Sequence, residues 1–438
     1  MAATGPANRS EPQGRAYVRL VLLGALVGIP AALVAALFLA LVHESQHWVW
    51  VDLPDALGSS AYPWYLVLLL PVVGAVLVIF ARAALPGNGG HPPLAGLSMA
   101  KMPLSYAPGV ALAAFGTLTF GVVLGPEAPV IALGAIAASA ASAFARLGQK
   151  EGKVIATAGS FSAISALFGG PLVGGVLLVE SGVALGAELI AALLPGFVAA
   201  AVGYTIFVGF GDWGGLGAQG LTIPHLGAYD TTRVVDLLFA VAIGIVVAMI
   251  LTSVRRLARG VAARVEGEHN LAAPLLAGAL AIGLIALAAD GLGAQSQDVL
   301  FSGQSSIPAL VSEGSTAVIL VLLVAKALAY AVSLASGFRG GPIFPALFLG
   351  IGVATLPVVW FDVSPTFAIA VGAAAGMAAQ TRLILSSMLL AALLVGSAGF
   401  DAIPGAVLAA AAAWITTMAL DPPAPTPSPA ADSAPARA

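Results

Sequence analysis

The sequence predicts an all-α polytopic membrane protein built from two related halves. Three observations carry that prediction. The 438-residue chain is 60% hydrophobic and only 8% charged, far too apolar for a soluble protein of this size. Its charge-free runs are continuous and long, many near the roughly 20 residues that cross a hydrocarbon core. One Gly/Pro-interrupted segment recurs half a chain away.

The charge-free runs cover 20–42, 56–81, 102–126, 154–179, 189–211, 237–254, 271–289, 340–361, 363–381, 383–400 and 402–420. A β-barrel would show short alternating segments instead. The first run is too long for a cleaved signal peptide, and no small-residue cleavage pattern follows it. The absence of cysteine excludes disulfides and thiolate metal sites. A net charge of −3 gives no reason to expect a nucleic-acid partner. No metal-ligand spacing, nucleophile elbow or phosphate loop occurs, so neither a metal nor a cofactor is expected.

Residues 1–16 form a polar N-terminal segment. Arg9 and Arg15 there, with Arg19 following at the membrane edge, favour a cytoplasmic N-terminus by the positive-inside rule. The basic stretch 255–269, read as a loop, falls on the same side. The membrane part divides into repeats at 17–212 and 232–420, joined by a linker at 213–231. The Pro-, Ala- and Ser-rich tail 421–438 lacks the apolar residues to bury a core and is expected to be disordered. Both termini are then cytoplasmic, and the setting is the cell membrane, plasma or bacterial inner.

The breaks within the apolar runs are the informative part. They include "LPGNGGHPPLAG" (85–96), "GPEAP" (125–129), "FGGPLVGG" (168–175), "SGFRGGPIFP" (336–345) and "FDAIPGAV" (400–407). Backbone that leaves the helix at membrane depth needs protein or a water-filled cavity around it. "GPEAPVIALG" (125–134) and "GPIFPALFLG" (341–350) share Gly125/Gly341, Pro126/Pro342, Pro129/Pro345, Leu133/Leu349 and Gly134/Gly350, 216 residues apart. "TAGSFSA" (157–163) and "AAGMAAQ" (374–380) echo each other at nearly the same offset. Corresponding interrupted segments in two halves point to a midplane binding site between internal repeats.

A Gly-Pro-x-x-Pro run suits the start of a helix, because Pro is welcome in a first turn and Gly lets the chain bend into it. Helix starts leave unpaired N–H groups and a partial positive charge. Three of them, at 87–92, 125–129 and 340–345, are expected to converge on one dehydrated anion. Glu127 in that setting either competes with the anion as a gate or simply caps its own helix.

Three motifs carry a resemblance to the CLC family of chloride channels and proton-coupled chloride exchangers. "GNGGHP" resembles its Gly-Ser-Gly-Ile-Pro loop, "GPEAP" its Gly-Arg/Lys-Glu-Gly-Pro loop and "GGPIFP" its Gly-x-Phe-x-Pro loop, in the same order and over about residues 17–420. The resemblance implies the CLC-type fold of two inverted-topology repeats of tilted, partly broken helices. It implies a homodimer in the lipid bilayer with one anion pore per subunit, and a transporter rather than an enzyme. Glu127 matches the gating glutamate. Gly87, Asn88 and Gly89 match the first anion-binding loop, Gly125, Pro126 and Ala128 the second, and Gly341, Pro342, Ile343, Phe344 and Pro345 the third, with the amides of Ile343 and Phe344 facing the anion.

Departures from the family pattern shape the mechanism expected. Asn88 replaces the family's Ser, as in a fluoride-exporting branch, so chloride and fluoride are both open. Pro126 replaces a basic residue, which makes the entrance less attractive to anions. The last tyrosine is Tyr330, so the tyrosine closing the inner side of the family's site has no counterpart. Alignment puts Ser181 at the internal proton-relay position, with Glu180 one residue earlier and about 100° round a helix. Channel-like or weakly proton-coupled transport is the reading; tightly coupled anion/proton exchange through Glu180 is the alternative, and a membrane-embedded enzyme or cation-coupled transporter the remote one. Lys326 is expected to snorkel or pair, Glu188, Asp290 and Arg382 to end segments or pair within the bundle, and His91 to have no special role.

Overall fold

The computed structural model describes residues 14–59, 62–99, 101–182, 186–209, 221, 223, 226–265 and 271–422. The expectations placed on residues before Gly14, on most of the 213–231 linker and on the tail beyond Pro422 lie outside the described residues. Among those described, the regular structure is helical. In the first half the helices are α1 (Gly14–His47), α2 (Leu53–Ala56), α3 (Trp64–Ala84), α4 (Ala107–Thr119), α5 (Glu127–Phe144), α6 (Gln149–Leu167), α7 (Pro171–Ser181) and α8 (Ala187–Val208). In the second they are α9 (Val234–Val265), α10 (Ala272–Asp290), α11 (Ser296–Val299), α12 (Ile307–Ser312), α13 (Thr316–Ala335), α14 (Ile343–Phe361), α15 (Pro365–Thr381), α16 (Ile384–Val395) and α17 (Ile403–Leu420). Nine helical segments among the described residues are long and apolar enough to cross a membrane.

Proline sets several of the starts. Pro108, Pro171, Pro365 and Pro404 sit in the first two positions of α4, α7, α15 and α17, where a missing N–H removes no helical bond. The most buried of the long spans is α14, and α1, α3 and α9 keep large apolar side chains such as Leu37, Phe80 and Leu238 on the outside. That is the pattern of a central helix ringed by lipid-facing ones.

Equivalent helices pack alike in the two halves. A Cβ at Gly134 would lie 2.6 Å from the Gly159 carbonyl oxygen, and one at Gly350 would lie 3.0 Å from Gly376 Cα. Small residues let the α5–α6 and α14–α15 backbones approach closely, as helix pairs in membranes do. Gly134/Gly350 and Gly159/Gly376 are the residues paired by the two sequence echoes.

Two expectations are corrected. Residues 255–265 continue α9 instead of forming a loop: Arg255, Arg256 and Arg259 find partners on α15 and at the end of α17, and Arg264 on the Gly260 carbonyl. The first Gly-rich segment starts no long helix: it leads into a three-residue 3-10 turn, Pro93–Ala95, closed by Gly96 at φ 83°, and α4 begins only at Ala107. Prolines at 92 and 103 and the left-handed Gly96 stop propagation.

Candidate anion site

The two copies of Gly-Pro-x-x-Pro meet. Gly125 N–H donates to Gly341 O at 2.8 Å, and Gly341 N–H returns a bond to Gly125 O at 2.6 Å. Equivalent residues exchanging reciprocal bonds are what a local two-fold axis produces. Directly after this bridge the chain enters α5 on one side and α14 on the other, so two helix N-termini face each other across it.

The Glu127 side chain crosses that axis. It is fully buried, and its Oε1 accepts a bond from the N–H of Ile343, the first residue of the opposite helix. The amides of Glu127 and Phe344 also lie against the carboxyl group. Oε2 has no hydrogen-bond partner within the described protein. A carboxylate is thus held by the N–H groups and partial positive charge of two helix starts. The adjoining glycines make room: a Cβ at Gly125 would lie 3.0 Å from Glu127 Cδ, and one at Gly341 would overlap the carboxyl group. Phe344 stacks on Phe168, with ring centroids 5.7 Å apart, closing one wall.

A cavity of about 580 Å³ opens beside this site. Its walls include His43, Gln46 and His47 from the end of α1 and the stretch from Phe301 to Pro308, and it reaches Leu124 and Pro126 next to Glu127. This vestibule stops at Leu124 and Pro126, and Glu127 is not among its walls. A second, much smaller space of about 10 Å³, room for roughly one water, is lined by Gly89, Gly90, His91, Ala128, Arg339 and Gly340.

The first loop therefore reaches the site through Gly89 and Gly90. Asn88 is exposed, and its side-chain oxygen accepts from Arg82 Nε at 3.0 Å while its carbonyl accepts from Arg339 Nε at 3.1 Å. Gly87 lies against the Tyr106 ring. The structure brings two long-helix N-termini together, α5 and α14; the third expected start is a loop clamped by two arginines. Pro342 presents its carbonyl to the Tyr330 hydroxyl at 2.8 Å. Ala128 and Pro345 lie in the first turns of α5 and α14.

Glu180 lies away from this centre. Its carboxylate accepts from Leu385 N at 3.0 Å, Ser386 N at 2.8 Å and Ser386 Oγ at 2.7 Å, capping the start of α16. Ser181 Oγ donates to the Leu178 carbonyl of its own helix at 3.2 Å.

Arg82, Arg339 and the fully buried Tyr330 were not singled out by sequence as parts of the site. Arg339 stands inside "SGFRGGPIFP", and a charge within a broken apolar segment is the signal that marks it.

The chain matches the model of the voltage gated chloride channel family over residues 93–417. "Putative ion-transport protein YfeO" of Escherichia coli O7:K1 is 28% identical over 360 residues, covering 79% of this chain and 80% of the relative. Its Escherichia fergusonii counterpart matches to the same extent. Among solved structures, a slow cyanobacterial Cl−/H+ antiporter superposes with a TM-score of 0.75 at 16% identity, over 92% of this chain and 95% of the other. A CLC-type fluoride/proton antiporter gives 0.69 at 19% identity, over 94% and 98%. These two establish the fold. With three-quarters of the chain inside the family model, the protein belongs to the voltage gated chloride channel family and is a multi-pass membrane protein of anion transport.

Proposed function

We propose that chloride or a related small anion crosses through the site between α5 and α14, with Glu127 as a gate that competes with it, channel-like or with weak proton coupling. One observation carries this reading: the Glu127 carboxylate sits on the amide of Ile343 in the opposite repeat, beside a vestibule that reaches its neighbour Pro126. A carboxylate there occupies the place an anion would take, and an anion or a proton would release it. Gly125, Gly341 and the amides of Ile343 and Phe344 form the seat, and Gly89 with Ala128 borders it.

Flux of chloride, fluoride and nitrate into proteoliposomes, with proton movement recorded, tests the proposal. Glu127→Ala should speed anion flux and Glu127→Gln should alter it. Unchanged flux in both would sink the gate. Stoichiometric uphill proton movement driven by an anion gradient would overturn the channel-like reading.

Coupled exchange is the second reading, favoured by the fold shared with two structures titled as proton antiporters. Glu180 is its carrier. Its three hydrogen bonds at the start of α16 support a capping role instead. Proton movement lost in Glu180→Gln would favour exchange. The resemblance further supports two subunits per assembly, one pathway each, in the cell membrane with both termini cytoplasmic.

A further inference from the structure

A second charged centre lies on the face opposite the vestibule. The helices α16 and α17 fix its place. Arg382, just before α16, meets Asp421, just after α17, whereas Leu394 near the far end of α16 lines the vestibule. The 12 residues of α16 rise about 18 Å between these points.

At this centre Arg259 Nη1 donates to both Asp421 carboxylate oxygens, at 2.9 and 3.0 Å. Arg255 Nε lies 3.6 Å and Arg382 Nη2 3.5 Å from Oδ2. Arg382 also donates to the Asp421 backbone oxygen, and Arg256 to that of Leu420. Arg255 is buried, fixed by the Ala379 carbonyl at 2.6 Å, the Thr252 hydroxyl at 3.2 Å and Gln380 Oε1 at 3.3 Å. Three guanidiniums thus face one carboxylate among the described residues. Such forks match carboxylates and small oxyanions in bidentate geometry, and three converging positive charges also attract a halide.

Arg255 stands on α9, which packs against α13, and on α13 the Tyr330 hydroxyl donates to Pro342 O, one residue before the amide that holds Glu127.

We propose that Arg255, Arg259 and Arg382 form a second anion-binding site at the far entrance of the pathway, with the chain's own Asp421 carboxylate as its resident occupant. The ligand is the small inorganic anion being transported, so the inference rests on the anion-transport reading. Charge missing at Pro126 on one side is matched by charge supplied on the other. Asp421 holds the arginines together until an anion displaces it.

Tracer chloride exchange at equal concentrations on both sides, measured over a concentration series, tests this. Asp421→Asn should lower the half-saturating chloride concentration on the order of fivefold or more, since a self-occupied site is available only part of the time. Arg259→Gln should raise it, and Asp421→Glu should stay near wild type. An unchanged half-saturation in Asp421→Asn and Arg259→Gln, with wild-type exchange intact, overturns the proposal. Should Asp421→Asn fail to fold, Arg259→Gln decides alone, because its side chain is 50% exposed. If wild type exchanges no chloride, the transport reading fails instead; calorimetric chloride titration of wild type against Arg259→Gln then judges the site, weaker binding supporting it and equal binding overturning it.

Discussion

Replacing Lys326 by Met tests what holds the vestibule wall. The Lys326 side chain is fully buried on α13. Its ammonium donates to the carbonyl oxygens of Asp298, Val299, Leu300 and Phe301 at 3.0, 3.0, 2.8 and 3.1 Å, and lies 4.7 Å from the centre of the Phe348 ring. Those carbonyls end the short α11, where a helix leaves acceptors without partners. Lys326 therefore pairs, with backbone. Three N–H donors serve four acceptors, and a hydrogen bond to a charged group is worth about 1.5–3 kcal/mol net. Desolvating the ammonium offsets part of this, yet removing it leaves buried carbonyl acceptors unsatisfied, at a cost of about 1–3 kcal/mol each. Met fills similar volume and donates nothing, so Lys326→Met should lose stability on that scale, whereas Lys326→Gln, with two N–H donors, should lose less. Heat denaturation in detergent, read as the fraction remaining monodisperse, should rank wild type above Gln above Met. Chloride flux of the surviving Met protein should also fall, because Phe301 and Ser302 follow directly into the vestibule. A Met variant that denatures with wild type would refute the cage as a support.

Three further outcomes follow from the geometry. Gly341→Ala puts a Cβ onto the Glu127 carboxyl group and should destabilise by about 1–3 kcal/mol, the usual cost of overpacking; in a Glu127→Ala background the loss should shrink, and equal losses in both backgrounds would refute the contact. Burial would raise the Asp421 pKa, but the Arg259 hydrogen bond and the charges of Arg259, Arg255 and Arg382 hold it below the usual carboxylate range. Its contribution to stability is then complete above the unfolded value and lost as pH falls through the lower folded one, so the wild-type advantage over Asp421→Asn in denaturation midpoint should fade in that acid window. Because the chain has no cysteine, single cysteines in place of Ser302 and Pro422 should react with an impermeant maleimide from opposite sides of a vesicle; labelling from one side would overturn the placement of the two entrances.

How far the sequence carried depends on what each feature is made of. The spans follow from continuous apolar runs, because a bilayer rewards composition directly. The repeat was legible because Gly and Pro at fixed spacing have few structural alternatives, and the reciprocal Gly125–Gly341 bridge joins the positions the comparison paired. Glu127 was legible for the opposite reason: an acid is costly at membrane depth and stands out. The extent of α9 was hidden because arginine normally ends a span, and nothing in "RRLARG" announces that Asp421, 162 residues beyond Arg259, would receive Arg255 and Arg259. The Lys326 cage was hidden more thoroughly, since its four partners are carbonyl groups, which every residue carries. The first loop misled because "GNGGHPP" has the residues of a helix start without an unbroken helical run behind it.

The site is symmetric in its backbone and asymmetric in its side chains. Its backbone is nearly two-fold, with matching Gly-Pro-x-x-Pro turns, reciprocal hydrogen bonds and matching helix pairs behind them. Its side chains are not, since Glu127 faces Ile343 across the axis. Two acids here would share one dry seat, and like charges at that distance cannot both stay ionised. One acid meets both helix starts, because a side chain rooted in α5 reaches the amide of α14. An apolar side chain at position 343 brings no second acid to that amide, which donates to Glu127. The repeat thus supplies two aligned sets of donors, and an acid carried by one copy alone is what the proposed gate requires.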